Sequence, residues 1–130
     1  MNFDLLIDAA KQARASAYAP YSKFAVGAAL LTKSGRIITG CNVENLSFGL
    51  TICAERAAVF TAIAGGEKEF EAIAVVADSV SPVTPCGACR QVLSEFASEL
   101  PICSANLDDV RFVSTIQELL PRAKEGILGT

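Results

Sequence analysis

The spacing of apolar residues predicts the elements that begin the chain. Over residues 3–17 they recur every three or four positions, as on one face of an amphipathic helix. Residues 18–22, which include a proline, end this helix. Residues 25–32 and 36–43 are apolar runs rich in β-branched and small side chains, and the turn at 33–35 between them predicts a hairpin. We expect both strands of this hairpin to be buried.

Helices and strands continue to alternate in the rest of the chain. The order α-β-β-α-β-α-β-β-α indicates an α/β fold, with layers of helices around a mixed sheet. At this length we expect one domain spanning residues 1–130. After a polar loop, we expect helices over residues 54–64, 87–97 and 117–120, and strands over residues 71–77, 102–105 and 110–114.

Composition and charge exclude several classes of function. The net charge is −3 and no basic stripe is present, so nucleic acid is not an expected partner. No apolar run approaches the roughly 20 residues of a membrane span, and the acidic, amphipathic start is unlike a signal peptide. We therefore expect a cytoplasmic protein with no membrane partner. The mean hydropathy of +0.41 is high for a lone monomer and indicates extensive subunit contact.

The cysteine and histidine counts limit the chemistry that a catalytic site can use. The chain has five cysteines and no histidine. An odd number of cysteines without a secretion signal argues against a disulfide framework. Because histidine is absent, proton transfer must depend on Glu, Asp, Lys, Tyr or Cys, and metal ligands must come from other residue types.

Three of the cysteines lie at the starts of two predicted helices. Cys53 precedes one helix, and Cys86 and Cys89 begin the next. In an α/β sheet, helices that follow adjacent strands bring their N-termini to one edge, where ligands commonly bind. Three thiolates there suit Zn²⁺, and three protein ligands leave a fourth position for water, as in catalytic zinc sites. The dipoles of both helix N-termini favour the thiolate form.

Charged residues beside these cysteines complete a candidate catalytic set. Glu55 can meet the same water as Cys53 only if Cys53 lies at the helix edge, before regular geometry begins. Glu55 would then take a proton from the water and deliver it to the substrate. Three thiolates around Zn²⁺ leave a net negative charge, which weakens the metal as a Lewis acid. We hypothesise that Arg56, and also Arg90, hydrogen-bond to thiolate sulfur and withdraw this charge.

The same residues carry a resemblance to a known family. The matching segments are YAPYSKFAVGAALL (18–31), GCNVEN (40–45), GLTICAERAA (49–58) and PCGACRQVLSEF (85–96). Together they resemble the small cytidine deaminases of nucleoside salvage, over nearly the whole chain. A Cys-x-Glu followed by a Pro-Cys-x-x-Cys is the signature of zinc deaminases, in which three cysteines can hold the metal.

The resemblance implies a fold, an assembly and a reaction. The fold is a three-layer α/β/α arrangement with a mixed five-stranded sheet, and the assembly is a homotetramer with shared active sites. In the reaction, water attacks the amino-bearing carbon of the cytosine ring of cytidine or deoxycytidine, and ammonia is released. The resemblance also implies that Phe24 packs on the pyrimidine, that Asn42 and Glu44 bind ribose hydroxyls, and that the backbone at Ala54 contacts the base.

Two departures from the family concern the sugar end of the substrate. The candidate substrate-binding residue Phe48 stands where the family usually has Tyr, so a hydroxyl is missing near the sugar. The usual Leu-Pro-Gly-Ala-Phe tail is replaced by Leu-Pro-Arg-Ala-Lys, so Arg122, Lys124 or Glu125 could face a charged or bulkier substituent. The alternative substrates are a modified cytosine nucleoside of the blasticidin type or another small aminated heterocycle.

Other functions remain as alternatives on the residues alone. Cys86 and Cys89 could form a redox pair, although the usual tryptophan and strand pattern are absent. A purely structural zinc in a non-catalytic binding module would need a fourth ligand, from Cys41 or Cys103; otherwise these two are small buried hydrophobic residues. The substrate candidates also have structural interpretations: Phe24 as a core residue, Asn42 as a turn residue and Glu44 as a solvated charge.

Overall fold

The computed structural model describes residues 1–126 and 128, and its elements follow the predicted order. The largest difference in a boundary is at the first helix, which ends three residues before the predicted residue 17. No helix among the described residues is long and apolar enough to cross a membrane. The helices are α1 (Asp4–Arg14), α2 (Ala54–Ala64), α3 (Gly87–Phe96) and α4 (Ile116–Leu119), and the strands are β1 (Val26–Thr32), β2 (Ile37–Cys41), β3 (Phe70–Ala77), β4 (Pro101–Ala105) and β5 (Arg111–Thr115).

The five strands form one mixed sheet in the order β2-β1-β3-β4-β5. Strands β3 and β4 pair in parallel, and every other pair is antiparallel. A parallel pair needs a crossover connection, and α3 supplies it between β3 and β4. The hairpin of β1 and β2 turns at Gly35, whose φ of +93° favours glycine. The mixed sheet inferred from the sequence is confirmed.

Helices cover both faces of the sheet, which makes a three-layer α/β/α fold. Helix α1 packs Ile7 and Ala10 against one face, together with its N-cap residue Phe3. Helices α2 and α3 lie on the other face, where Val59 and Leu93 are buried with residues of the central strands. Small residues on the strands let the helices approach closely, as dense core packing requires. The site described below lies on the side of α2 and α3.

Two glycines mark the closest approaches between helices and sheet. A Cβ at Gly27 of β1 would overlap the carbonyl oxygen of Ala10 and lie 2.7 Å from the backbone nitrogen of Arg14, both on α1. A Cβ at Gly40 of β2 would lie 2.5 Å from the carbonyl oxygen of Ala54 at the start of α2. Backbone atoms cannot move aside cheaply, so each position requires glycine.

The expectation that both hairpin strands are buried is wrong for β2. Strand β1 is largely buried, because it lies inside the sheet between β2 and β3. Strand β2 is an edge strand, and its side chains that face away from α2 are less covered. Ile38 is 7% exposed, whereas Ile37 is 40% exposed. An apolar run alone does not distinguish an edge strand from a central one.

We predict that Gly27→Ala destabilises the fold by about 3 kcal/mol, because the added methyl group meets helix backbone and forces α1 away from β1. Gly49→Ala is the matched control, since a Cβ at Gly49 meets no atom of the described residues within 4 Å. Equilibrium denaturant unfolding of both variants measures the difference in the free energy of unfolding. Equal stability of the two variants would contradict the close approach of α1 to β1.

Candidate active site

Two helix N-termini bring the three candidate ligands together. Cys53 is the N-cap residue of α2 and Cys86 the N-cap residue of α3, and both have extended backbones, with φ −72°, ψ 157° and φ −67°, ψ 170°. Cys89 lies in the first turn of α3 and is fully buried. The extended backbone at Cys53 places this residue before the regular helix, and Cys53 and Glu55 line one cavity. Cys53 therefore lies at the helix edge, as it must if Cys53 and Glu55 are to meet one water.

The three sulfur atoms are spaced as ligands of one tetrahedral cation. The Sγ atom of Cys86 is 3.8 Å from that of Cys53 and 3.5 Å from that of Cys89. All three lie within 4.8 Å of one another. Zn–S bonds of about 2.3 Å at tetrahedral angles separate two sulfurs by about 3.8 Å, whereas a disulfide holds them about 2.05 Å apart. The donor set fits zinc in both chemistry and spacing.

A fourth protein ligand is not part of this cluster in residues 1–126 and 128. Cys103 is buried on β4, in the core beneath α1 on the other face of the sheet. Cys41 ends the edge strand β2 and is only half-buried. The interpretation as a small buried hydrophobic residue is confirmed for Cys103, while Cys41 is more exposed than expected. The open fourth position is typical of a catalytic zinc site and argues against a structural one.

Arg56 supplies positive charge to the sulfur cluster. Its Nη2 atom donates to Sγ of Cys53 at 3.3 Å, so the structure shows the predicted bond to sulfur. Its Nε atom is buried and has no hydrogen-bond partner in the part of the chain that the structure describes. A partly buried cation is stabilised by anionic partners, and the sulfur cluster provides them.

Hydrogen bonds give neighbouring sulfurs different proton affinities. The thiol of Cys89 donates to Cys53, and this bond, together with those from Arg56 and Cys86, lowers the pKa of Cys53 to about 5 against the opposing effect of burial. Because the thiol of Cys89 donates its proton to Cys53, this bond raises the pKa of Cys89, and burial raises it further. Within this cluster, hydrogen bonding therefore favours the thiolate form at Cys53.

Glu55 is a buried acid in the first turn of α2. Its side chain is only 5% exposed. Burial is the main cause that raises the pKa of Glu55 to about 7; the negative charge of Cys53 adds to this rise and Arg56 opposes it. An acid with a pKa near neutrality can both accept and release a proton at physiological pH. Glu55 can therefore act first as a base and then as an acid.

A cavity of about 270 Å³ opens beside the sulfur cluster. Three valines give it apolar walls, as in most small-molecule sites. The sequence pattern does not mark these valines, because Val26 and Val75 lie in apolar runs that look like ordinary core and Val83 lies between a predicted strand and helix. The cavity is lined by Ser22, Phe24, Val26, Asn42, Glu44, Thr51, Cys53, Ala54, Glu55, Val75, Val83, Thr84 and Cys86.

Predicted substrate residues meet in this lining, where two of them also bond to the protein. The amide of Asn42 donates to the carbonyl of Phe24 at 2.8 Å and accepts from the N–H of Val26 at 2.9 Å. The carboxylate of Glu44 accepts from the backbone and side chain of Ser22, and these bonds hold the pKa of Glu44 below its ordinary value. Phe24 is 37% exposed, so it is not a core residue. Glu44 is fixed by hydrogen bonds and is not a freely solvated charge.

Phe48 does not line the cavity formed by its own chain. It begins the 3₁₀ turn Phe48–Leu50 and is 73% exposed. Its ring meets that of Tyr21 edge-on, with centroids 6.0 Å apart. Within one chain, Phe48 is therefore not placed to contact a substrate in this cavity.

The hypothesis that Arg90 bonds to sulfur is wrong. Its guanidinium donates to three oxygen atoms. These are the carbonyl oxygen of Pro85 at 2.7 Å, the carbonyl oxygen of Leu119 at 2.9 Å and Oγ1 of Thr84 at 3.1 Å. Arg90 lies beyond the first turn of α3, and its side chain folds back over the segment that precedes Cys86. It fastens this segment to the end of α4 and so positions a ligand through the backbone.

The altered tail lies at a different place in the fold. Arg122 pairs with Glu125 at 2.7 Å, and Lys124 pairs with Glu95 of α3 at 3.7 Å. Arg122, Lys124 and Glu125 line a second cavity near Ile116, which shares no lining residue with the cavity beside the sulfurs. Within one chain, these three side chains do not face the candidate substrate cavity.

Comparisons with known proteins agree with this geometry. Residues 2–104 match the family described as the cytidine and deoxycytidylate deaminase zinc-binding region. The chain is 50% identical to a cytidine deaminase of Sporosarcina psychrophila over 95% of this chain and 91% of that protein. A solved cytidine deaminase of Burkholderia pseudomallei superposes with a TM-score of 0.90 at 51% identity, covering 93% of this chain and 98% of that one. A blasticidin-S deaminase of Bacillus cereus is 33% identical over 77% of this chain and 76% of that protein.

We predict that Cys53→Ala abolishes stoichiometric zinc binding, because two remaining thiolates cannot complete the site. Cys41→Ala is the matched control and should retain zinc, since Cys41 is outside the cluster. Metal analysis of both purified proteins measures the effect. A Cys53→Ala protein that keeps one zinc per chain would contradict the ligand assignment, and a metal-free, active native chain would restore the redox alternative.

We predict that Arg56→Ala lowers the affinity for zinc by about 10- to 100-fold, as loss of a charged partner of a metal ligand does. Arg36→Ala is the control, because Arg36 makes a surface ion pair with Glu67 away from the sulfurs. Competition with a chelator of known affinity measures both. Unchanged affinity in Arg56→Ala would remove the charge-balancing role.

Proposed function

Because the chain belongs to the cytidine and deoxycytidylate deaminase family, we propose that it is a zinc-dependent enzyme that replaces the amino group of cytidine or deoxycytidine by a carbonyl. The observation that carries this function is the joint presence of three sulfurs and one buried carboxylate at a single cavity. The sulfurs can hold a cation, and Glu55 can move protons beside it. Neither a redox pair nor a structural zinc site requires that carboxylate.

The roles of the residues follow from their placement. Cys53, Cys86 and Cys89 hold the zinc ion, which when bound supplies a Lewis acid that activates water at neutral pH. Glu55 accepts a proton from the attacking water while oxygen bonds to the amino-bearing carbon. Glu55 gives this proton to the ring nitrogen beside that carbon. It then takes the second proton from the new hydroxyl and delivers it to the leaving nitrogen, so that the carbonyl forms as the C–N bond breaks and ammonia departs. Its buried position keeps bulk water from competing for these protons.

The cavity lining supports a cytosine nucleoside as substrate. Phe24 offers an exposed ring face on which a pyrimidine can stack. The backbone at Ala54, where α2 begins, provides polar groups for the base edge. Asn42 and Glu44 lie in the same lining and provide an amide and a carboxylate for the ribose hydroxyls. A base end and a sugar end are therefore both present.

A homotetramer in the cytoplasm is part of the proposal. Apolar side chains are unusually exposed along residues 46–50, where Leu46 is 77%, Phe48 73% and Leu50 65% exposed. Exposed apolar patches of this kind are typical of subunit interfaces. In a homotetramer with shared active sites, Phe48 would complete the cavity of a neighbouring subunit, which accounts for its absence from the cavity of its own chain.

A modified cytosine nucleoside is the second candidate substrate. The related blasticidin-S deaminase of Bacillus cereus supports it, but the chain is more similar to proteins that are named cytidine deaminases. The catalytic residues are the same for both substrates, because only the substituent differs. The choice therefore depends on the sugar end of the cavity.

We predict that the zinc-loaded chain releases ammonia from cytidine and deoxycytidine, and that Glu55→Gln lowers kcat by about 10²- to 10⁴-fold, since the amide cannot carry the proton. The matched control is Glu71→Gln, an exposed glutamate on β3. An ammonia-release assay measures both variants, and metal analysis confirms that each retains zinc.

The substrate panel for this assay separates the alternatives. It contains cytidine, deoxycytidine, cytosine, blasticidin-type nucleosides, and aminated purines and triazines. Turnover of another compound in the panel, with no turnover of cytidine or deoxycytidine, would overturn the substrate assignment and leave the proposed chemistry intact. Full activity in Glu55→Gln would overturn the mechanism.

A further inference from the structure

We propose that Ser22 is a positioning residue, whose hydroxyl couples the carboxylate at the sugar end of the cavity to the aromatic ring at the base end. This inference rests on the proposed function, because it assigns Phe24 to the pyrimidine and Glu44 to the ribose. Ser22 lies between these two residues in the cavity lining. Its contacts connect them directly.

The hydroxyl of Ser22 bonds in two directions. Its Oγ atom donates to Oε2 of Glu44 and accepts from the backbone N–H of Phe24 at 3.0 Å. The backbone N–H of Ser22 also donates to Oε1 of Glu44, at 3.1 Å, and the N–H of Tyr21 donates to the same oxygen at 3.0 Å. One side chain therefore fixes both the carboxylate and the main chain from which the ring of Phe24 projects.

The segment that carries Phe24 needs such an anchor. It lies in neither a helix nor a strand, and Lys23 adopts φ of +61°, a left-handed conformation that non-glycine residues rarely hold. Such a conformation persists only where surrounding bonds enforce it. The bond from Phe24 N–H to Ser22 Oγ spans Lys23, and the bond from Lys23 N–H to Ala19 O, at 3.1 Å, closes the turn that precedes it.

Asn42 bonds to the carbonyl side of Phe24. Its Nδ2 atom donates to the carbonyl of Phe24 at 2.8 Å, while its Oδ1 atom accepts from Val26 N–H at 2.9 Å. The backbone of Phe24 is thus bonded at its N–H by Ser22 and at its carbonyl by Asn42. Loss of the Ser22 hydroxyl releases only the N–H side, so the ring shifts while the start of β1 stays in place.

This arrangement predicts an effect that reaches beyond the sugar. If Ser22 only oriented Glu44 for a ribose hydroxyl, its loss would leave untouched any substrate that lacks ribose hydroxyls. Because Ser22 also holds Phe24, its loss misplaces the stacking ring for every cytosine nucleoside. The substrate 2′,3′-dideoxycytidine, which lacks the 2′ and 3′ hydroxyls and keeps only the 5′ hydroxyl, separates Phe24 placement from an effect of Glu44 on the 2′ and 3′ hydroxyls.

The variants are Ser22→Thr, which keeps the hydroxyl, and Ser22→Val, which has the shape of threonine without it. We expect Ser22→Val to lower kcat/KM by about 10- to 100-fold on both cytidine and 2′,3′-dideoxycytidine, and Ser22→Thr to remain close to the native chain. Ser98→Ala, at an exposed serine away from the cavity, is the control. A loss confined to cytidine, or equal activity of the Thr and Val variants, overturns the coupling.

A second measurement reports the position of the Phe24 backbone and does not depend on enzyme activity. In ¹⁵N-labelled protein, we expect the amide shift of Phe24 to change in Ser22→Val and that of Val26 to stay, because Val26 bonds to Asn42. An unchanged Phe24 amide overturns the proposal. Failure of the native chain to deaminate cytidine would refute the proposed function instead, and the amide shifts would still test the placement of Phe24 by Ser22.

Discussion

Charge balance around three sulfur atoms is the constraint on which the rest of the structure depends. A cluster of cysteines beside a buried carboxylate is unfavourable unless positive charge lies close to it. The chain supplies that charge locally, from two helix N-termini and from Arg56, whose guanidinium donates to Cys53. The run Cys53 to Arg56 therefore places a ligand, an acid and a cation within one helical turn. Zinc supplies the remaining positive charge.

This constraint determines how the helices must sit on the sheet. The N-termini of α2 and α3 have to meet at one edge, so both helices must share a face, and β3 must lie between the antiparallel hairpin and the parallel strand β4. The close approach of β2 to α2 at Gly40 supports this placement. Val75, near the carboxyl end of β3, then forms part of the cavity wall. The substrate cavity is thus a continuation of the hydrophobic core on that face.

The order of elements and the metal cluster were predictable from sequence because each leaves a local pattern. Apolar periodicity marks helices and strands, and Cys-x-Glu with Pro-Cys-x-x-Cys marks the ligands. Features that depend on the packing of distant segments left no such pattern. The exposure of β2 follows from its place at the edge of the sheet. The bonds of Arg90 depend on where α4 ends, because one of them is to the carbonyl of Leu119. Val83 reads as a loop residue until the cavity is seen.

At Glu44 and Asn42, a small chain uses the same side chains to support its backbone and to line the cavity. A carboxylate has about four lone-pair sites. Glu44 uses three of them for the two backbone N–H groups and the hydroxyl that hold the Phe24 segment, so room remains for one further donor. Asn42 likewise spends one donor and one acceptor on the backbone. Under the proposed function, a substrate hydroxyl at Glu44 would join a network that already orients the aromatic ring. Recognition of the sugar and placement of the base would then depend on the same few hydrogen bonds, so that a change of substituent at one end would alter binding at the other.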